Sequence, residues 1–347
     1  MRRVTSTVLI GLGTFLIMIA IMTRFYAYQT LAVVPDVYES TTNLQAKDAT
    51  IFDADTLAPI QTDLNISSHT YTNPNDNPPD GQTDWVNATS ITRADVPGAT
   101  CDPSVNAALP GCFKQDTERV PFDVVTGAAS TAEECPSCTS TYDTSEIVDG
   151  KYVPKAVPVT RTGQIYKMPF NVQKKDYAWW DSSIQEAPLM KYVGEEKVNG
   201  LNAYKFVQTI EPTNIGTQDL PGSVFGVDDA TVTADMMYAM TRTLWIEPAT
   251  GSPVKRVEDR NQVFSYNGTT VAAFVGQVTY TDAQVDSLVK DGKSQGFLLG
   301  GMRMLFPLLL ILIGVASIAG GFVLRRPRTK GTHKPVALKK DQDLTNA

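Results

Sequence analysis

Cysteines are the residues of this 347-residue chain whose type and spacing most readily indicate chemistry. Cys135 and Cys138 have the spacing of a redox pair. Redox chemistry requires a helix N-terminus that lowers the thiol pKa, whereas acidic and turn-forming residues surround this pair. Ten residues separate Cys101 from Cys112 and no histidine lies nearby, so a zinc site is the weaker alternative. The even count predicts two disulfides in an oxidising compartment, and short loops favour Cys101–Cys112 and Cys135–Cys138.

Acidic pairs are the other candidates for chemistry, and they do not predict a hydrolase. Glu195 and Glu196 would point to opposite faces of a strand, whereas glycoside hydrolysis needs two carboxyls that face one bond. His69 and His333 are the only histidines, and no nucleophile elbow, P-loop or dinucleotide fingerprint occurs. We therefore predict a protein that is not an enzyme, with no catalytic residue, no metal site and no cofactor.

Aromatic residues beside a carboxylate form the candidate binding site. Trp179, Trp180 and Asp181 are consecutive, and Trp245 lies in a later strand-like run. Indole rings can stack on a sugar ring or line an acyl groove. Core packing is the alternative, because neighbouring residues on a strand point to opposite faces.

Two uncharged runs predict the elements that anchor these residues. The run Val4–Met22 has 19 residues and the run Met304–Leu324 has 21, and a helix of about 20 residues spans a bilayer core. We place transmembrane helices at residues 4–23 and 304–324. Small residues in each could let the helices pack closely, namely Gly11, Gly13, Ala316 and Gly320. The alternative is that small residues are common in membrane spans and mark no contact here.

Flanking charge predicts how the chain is oriented. Residues 1–3 and the tail 325–347 are basic, which puts both termini in the cytoplasm and residues 24–303 outside the plasma membrane. That outer region has 21 basic and 35 acidic residues, so a nucleic-acid partner is not expected. A cleaved signal peptide is the alternative for the first run, but Phe25 and Tyr26 make a poor cleavage site.

Short runs of Val, Thr, Tyr and Phe between turn residues predict a mainly β (α+β) outer domain with a curved antiparallel sheet. Asn199-Gly200 predicts a hairpin turn, and Glu247–Gly251 predicts a second. Thr281 predicts the cap of a short helix that ends at Lys290. The cysteine-bearing residues 98–150 are expected to form a loop-rich insertion that disulfides hold in place.

Several of these segments resemble an actinobacterial membrane-protein family named the porin PorA family, which has the same two-span architecture. The resemblance lies in Leu31–Pro35, Met168–Phe170, Tyr177–Asp181, Tyr192–Phe206 and Leu244–Gly251. It implies a host with a mycolate-type envelope and a role in maturation or movement of lipoglycans. It supplies no catalytic residues.

The porin label conflicts with these patterns, because a porin barrel needs amphipathic strands with a lipid-facing apolar band. The hairpin motifs also resemble carrier domains that move lipoproteins between bacterial membranes. We therefore expect an external domain that binds or transfers an envelope glycolipid or lipoglycan precursor, or supports its maturation. The alternative is a scaffold or accessory subunit for an envelope glycosyltransferase or transporter. The expected partners are the lipid bilayer, that glycolipid and envelope biosynthetic proteins.

Overall fold

The computed structural model describes residues 2–73, 77–102, 104–106, 108–148 and 151–326. Most of the basic tail predicted at 325–347 lies outside the described residues. The chain divides into two compact units: Met1–Phe25 with Met304–Ala347, and Tyr26–Arg303. We call them the helical unit and the β unit, and describe each by itself.

The helical unit contains α1 (Arg2–Met22) and α4 (Phe306–Arg325), which pack along each other. Their buried residues recur every seven positions: Ser6, Gly13 and Ala20 in α1, and Pro307, Gly314 and Gly321 in α4. A Cβ atom at Gly13 would clash with the backbone oxygen of Gly314, so the helices approach as closely as small residues permit.

Ser6 Oγ also donates to the Gly321 carbonyl at 2.7 Å. Of the small residues singled out in the sequence, only Gly13 lies at this contact among the described residues. A Cβ added at Gly11 or Gly320 meets nothing within 4 Å in the described part of the chain, and Ala316 is exposed. The residues at the contact follow a seven-residue period, which places Gly314 and Gly321 there in α4 rather than Ala316 and Gly320.

Both helical stretches, Arg2–Leu31 and Asp282–Arg325, contain a window long and apolar enough to cross a membrane. The first continues from α1 through a π-helical turn (Thr23–Ala27) into α2 (Tyr28–Leu31), and the second joins α3 (Asp282–Gly300) to α4 through a π-helical turn (Gly301–Leu305). Large apolar side chains such as Phe15, Leu312 and Phe322 are exposed on their surfaces.

The β unit is built on a sheet of twelve antiparallel strands among its described residues, which confirms the predicted antiparallel β class. The strands are β1 (Glu39–Asp53), β2 (Ala58–Thr72), β3 (Gln82–Arg93), β4 (Cys112–Asp123), β5 (Thr141–Val148), β6 (Lys151–Pro158), β7 (Tyr177–Ala178), β8 (Leu189–Val198), β9 (Leu201–Leu220), β10 (Val232–Ile246), β11 (Pro253–Tyr266) and β12 (Thr269–Tyr280). Their order is β6-β5-β4-β3-β2-β1-β12-β11-β10-β9-β8-β7. Consecutive strands pair with each other except β6 and β7, which lie at the two ends of this order, and β1 pairs with β12 in the middle.

Local signals position these hairpins. Asn199 and Gly200 have φ angles of 45° and 83°, the left-handed pair that a tight hairpin between β8 and β9 requires. Between β10 and β11, the Glu247 carboxylate accepts from the backbone N–H of Ala249 at 3.1 Å and of Thr250 at 2.6 Å. Both turns form where the sequence predicts them.

Helix α3 begins at the predicted cap, where Thr281 Oγ1 accepts from the Gln284 N–H at 3.2 Å. It packs its apolar side on Trp245 and Val254 through Val285 and Val289. The predicted end at Lys290 is wrong, because the helix continues to Gly300. Glycines within its last turns do not end it, since tertiary packing outweighs their low helix propensity.

Residues 98–150 are more regular than the predicted loop-rich insertion. They contain β4, which pairs with β3 over its whole length, and β5. Disulfides join Cys101 to Cys112 and Cys135 to Cys138, which are the pairs that short loops favour. β4 does not alternate between apolar and polar residues and contains Pro121, so its sequence gives a weak strand signal.

The connecting segment, residues 161–176 between β6 and β7, reaches both halves of the sheet. Phe170 donates its N–H to the Val125 carbonyl at 3.1 Å, and Met168 donates to Gly251 at 2.8 Å. Isolated bridges at Gln164 link Ala128 on one side with Trp179 on the other. The ladder of strands is open, and these contacts hold β4 near β7.

Candidate functional site

A row of polar side chains crosses the buried face of the sheet. Gln208 on β9 lies opposite Arg242 on β10, and Arg242 lies opposite Glu258 on β11. Directly opposed residues of antiparallel strands share one face. The row is flanked by apolar clusters, with Leu244 on one side and Val278 on the other.

Glu258 lies at the β11 end of this row, where three arginine side chains converge on it, and is fully buried. Its Oε1 accepts from Arg242 Nε and from Arg256 Nη2 at 2.6 Å, and its Oε2 accepts from Arg260 Nη2 at 2.7 Å. Burial alone would raise the pKa of Glu258, but the charges of Arg242, Arg256 and Arg260 hold it well below its ordinary value. Glu258 is therefore a buried carboxylate.

Arg242 joins Glu258 to two further partners. Its Nη1 donates to Gln208 Oε1 at 2.7 Å and its Nη2 donates to Asp181 Oδ2 at 3.1 Å. Burial opposes its charge, and the carboxylates of Glu258 and Asp181 outweigh burial and raise the pKa of Arg242. All three of its nitrogens have a partner, as a buried guanidinium requires.

We call these six side chains the Glu258 cluster. Its members are Asp181, Gln208, Arg242, Arg256, Glu258 and Arg260. Three arginines face two carboxylates, so the cluster has one positive charge in excess. Arg242 is 6% exposed, whereas the side chains of Arg256 and Arg260 are 30% and 31% exposed. Solvent therefore reaches the cluster at its two outer arginines.

Asp181 is the predicted site residue that joins the cluster. It is 2% exposed, and besides Arg242 its Oδ2 accepts from the Tyr238 hydroxyl at 3.3 Å. Its Oδ1 accepts from the N–H groups of Ser183 at 2.9 Å and Ile184 at 3.3 Å. The carboxylate thus fixes the turn after the tryptophans onto the sheet.

The three predicted tryptophans are all buried, and the structure does not bring them together. Trp179 packs in the apolar cluster with Phe206, and its carbonyl accepts from Gln208 Nε2 at 2.7 Å. Trp180 is 5% exposed. Trp245 lies on the opposite face under α3, with Lys255 Nζ 4.6 Å from its ring centre. Each ring is occupied by protein contacts.

Four charged members of the cluster are not among the site residues predicted from the sequence. Arg256, Glu258 and Arg260 alternate along β11, and Arg242 faces them from β10. Alternation places all three β11 side chains on the face that Phe264 buries. Charged residues at inward positions of a strand were the available signal, since buried charges must be paired.

A second polar contact holds the connecting segment to β4 and β5. Arg161 donates to Glu118 Oε2 at 2.8 Å, to the Arg119 carbonyl at 2.9 Å and to the Thr141 carbonyl at 3.1 Å. Farther along, Lys167 Nζ donates to the Met168 carbonyl at 2.8 Å. Burial lowers the pKa of Lys167 to about 7.

The acidic and histidine candidates are separate surface groups. Glu195 pairs with Lys174, and Glu196 pairs with Lys205 at 3.0 Å, each on an exposed surface. His69 is half-exposed on β2 beside Glu39. Within the described residues, no group of three or more His, Cys, Asp or Glu side chains could hold a metal ion.

Comparison with known proteins identifies the family. A model of the Porin PorA family matches residues 5–323. A protein of Corynebacterium resistens named "Porin PorA" is 26% identical over a match covering 31% of this chain and 38% of that protein. One of Corynebacterium amycolatum with the same name is 29% identical, covering 29% and 33%. The matches thus cover only about a third of these relatives' length.

These findings correct the function predicted from the sequence. The expected glycolipid or lipoglycan binding, the maturation role and the accessory role beside biosynthetic proteins are wrong, because the relatives are named porins. Apolar helices and short β-hairpins occur in proteins of many functions, so these features do not identify a ligand or a partner. The resemblance itself is confirmed, and the chain belongs to the Porin PorA family.

Proposed function

We propose that this chain is a cell-envelope membrane protein through which solutes cross a membrane, a channel component rather than an enzyme. Its family membership and the printed names of its relatives support this function. The distribution of apolar side chains supports helices, and not strands, as the elements that meet the lipid in such a channel.

The polarity of the strand surfaces carries the proposal. On β2 the buried side chains of Leu64 and Ile66 alternate with Gln61, Asp63 and Asn65, which are exposed and polar. A barrel that crosses a membrane has the opposite pattern, with apolar residues on its outer surface. The strands therefore suit water, and the lipid-crossing elements are the helices α1 and α4.

A channel with helical spans requires several copies of this chain. The contact between α1 and α4 is closed by Gly13 and Gly314, which leaves no room for water between them. Their other surfaces are mostly apolar, and the exposed hydroxyls of Thr7 and Thr14 donate to carbonyls of α1 itself. A water-filled path needs a ring of elements or a polar lining, so the path would form where copies assemble.

The flanking charges support a topology for each copy. Arg2 and Arg3 lie at the start of α1, and basic residues follow α4, which favours cytoplasmic termini in a two-pass plasma-membrane protein. In this proposal residues 1–3 and 325–347 are cytoplasmic, residues 4–23 and 304–324 span the membrane, and residues 24–303 form the external domain. Disulfides in the β unit agree with an oxidising exterior.

Conductance across a planar bilayer tests the function. Purified full-length protein is expected to produce discrete conductance steps. Gly13→Leu should abolish them because its side chain would enter the α1–α4 contact, whereas the matched variant Gly11→Leu adds the same bulk in open space and should retain them. Absence of conductance in the unmodified chain at every protein concentration, or steps unaffected by Gly13→Leu, would refute the proposal.

A further inference from the structure

We infer that Asn267 is a site of spontaneous covalent modification, at which the side-chain amide is lost and the residue becomes aspartate or isoaspartate. The sequence contains two Asn-Gly dipeptides, Asn199-Gly200 and Asn267-Gly268. Each forms the turn of a tight hairpin, and the structure places the two turns in different surroundings. This modification is independent of the proposed function and concerns the β unit alone.

The reaction at an Asn-Gly pair needs only the protein and water. The backbone nitrogen of the glycine attacks Cγ of the asparagine, and the new C–N bond closes a succinimide ring. The Cγ–Nδ2 bond breaks, and the amide leaves as ammonia with the proton of the glycine nitrogen. Water then opens the ring at either carbonyl, which gives aspartate or, with an extra methylene group in the backbone, isoaspartate. Glycine favours the attack because it has no side chain to block the approach.

The two Asn-Gly turns share one backbone conformation. Asn199 and Gly200 have φ angles of 45° and 83°, and Asn267 and Gly268 have φ angles of 49° and 80°. Both are left-handed pairs of the kind that closes a tight hairpin, and in each turn the flanking residues pair across the ladder. Because the backbones match, a difference in reactivity between the two asparagines must come from their contacts.

Helix α3 holds the Asn199 turn in place. Asn199 Nδ2 donates to Asp286 Oδ1 at 2.7 Å, and Lys293 Nζ donates to the Asn199 carbonyl at 2.7 Å. The attack requires the Asn199 side chain to leave Asp286 and the peptide group beside Lys293 to rotate, so both hydrogen bonds oppose it. Hydrogen bonds to charged groups are the stronger class, and the contact with α3 therefore protects Asn199.

The Asn267 turn lacks this support. Asn267 and Gly268 are both exposed, and the Asn267 side chain has no hydrogen-bond partner in the part of the chain that the structure describes. Its side chain can therefore rotate towards the Gly268 nitrogen without losing a contact with the described residues. Water also reaches the turn, as the opening of the succinimide requires.

Modification would change the end of the β11–β12 hairpin. Aspartate adds a negative charge to an exposed turn and keeps the length of the backbone. Isoaspartate lengthens the backbone by a methylene group, which disturbs a tight two-residue turn. Tyr266 precedes the turn, and its ring centre lies 5.6 Å from that of Phe225, so isoaspartate should loosen this contact as well.

Peptide mass spectrometry of the full-length protein, aged at mildly alkaline pH, tests the inference. The gain in mass reports loss of the amide at each asparagine, and a synthetic peptide of residues 263–271 gives the rate without a fold. We expect Asn267 to react, and Asn199 to react more slowly by about tenfold or more. Asp286→Ala should accelerate the reaction at Asn199. Asp291→Ala is the control, because it removes another exposed carboxylate of α3 and should leave the Asn199 rate unchanged.

Each outcome decides the inference. Asn267 that stays intact after the peptide has reacted fully would overturn it, as would equal rates at the two asparagines. An Asn199 rate that Asp286→Ala leaves unchanged would refute protection by α3. Tryptophan fluorescence confirms that this variant is folded, and Lys293→Met, which removes the other hydrogen bond, provides a second variant if it is not. Because the assay needs no conductance, failure of the proposed function and failure of this inference are distinguishable.

Discussion

Replacing Arg242 by methionine is expected to destabilise the β unit strongly. The substitution keeps an unbranched apolar stem but removes the cation that pairs with Asp181 at 3.1 Å and with buried Glu258. Glu258 keeps Arg256 and Arg260, so the main penalty falls on Asp181, which is 2% exposed. Breaking a buried ion pair by removing one partner costs about 3–5 kcal/mol. Because two backbone N–H groups still serve Asp181, we expect about 3 kcal/mol.

Urea titration of the full-length protein measures this loss. All four tryptophans, at positions 85, 179, 180 and 245, belong to the β unit, so their fluorescence reports its unfolding. Urea is uncharged and leaves the ion pairs unscreened. Lys205→Met is the matched control, because Lys205 Nζ pairs with Glu196 at the surface, where a salt bridge contributes about 1 kcal/mol or less.

A double-mutant cycle identifies the cause of the loss. Asp181→Asn removes the charge that Arg242 neutralises, so the two substitutions together should cost at least about 1 kcal/mol less than the sum of their separate effects. Additive effects, or a loss in Arg242→Met no larger than in Lys205→Met, would refute the view that a buried ion pair holds the turn at Asp181 to the sheet.

Three further predictions concern stability. The substitution Lys167→Met should raise the free energy of unfolding by more at pH 6 than at pH 10. Burial lowers the pKa of Lys167 from its ordinary value of 10.5 to about 7, so between these two pH values the unfolded chain binds more protons than the folded chain, and the unmodified protein gains stability as the pH rises. Urea titrations that give the same difference between the two proteins at both pH values would exclude this. Thr281→Ala should cost about 1 kcal/mol by removing the α3 cap, while Thr281→Ser retains it; helical circular dichroism during urea unfolding distinguishes them. Removing the Cys101–Cys112 disulfide by paired serine substitutions should cost about 3 kcal/mol, against about 2 kcal/mol for Cys135–Cys138, because the closed loop is longer; equal losses would oppose the loop-entropy explanation.

Features set by a few neighbouring residues could be predicted from the sequence. The Asn199-Gly200 turn depends on two residues that tolerate positive φ, and the cap of α3 depends on one hydroxyl. Chain length and apolarity alone indicate the helices α1 and α4. These are local properties, so no knowledge of the tertiary fold is needed to recognise them.

Features set by long-range pairing could not be predicted in this way. Asp181 and Arg242 are 61 residues apart in the chain, and only the order of the strands places them together. The same limit applies to the helix contact, where the partner of Gly13 is Gly314 rather than the small residues chosen by composition. Inward charges on β11 were visible, but their partners were not.

The tryptophans illustrate why residue type is a weak guide to a binding site. Indole rings bind ligands well, which makes Trp179 and Trp245 candidate ligand-binding residues in the sequence, yet both rings pack against the protein's own side chains. Large aromatic residues contribute most of their free energy by burial wherever they lie. The charged residues of the Glu258 cluster are more informative, because buried charges are expensive unless the structure pairs them.

Thiol labelling in a bilayer tests the central claim, that helices and not strands meet the lipid. Single cysteines replace Asn65, exposed on β2, and Phe15, exposed on α1, and the full-length protein in vesicles of defined lipid is treated with a membrane-impermeant maleimide. We predict rapid labelling of Asn65→Cys, in at least the fraction of molecules whose β unit faces the reagent, and no labelling of Phe15→Cys. Protection of Asn65→Cys on both sides of the membrane, together with labelling of Phe15→Cys, would contradict the account.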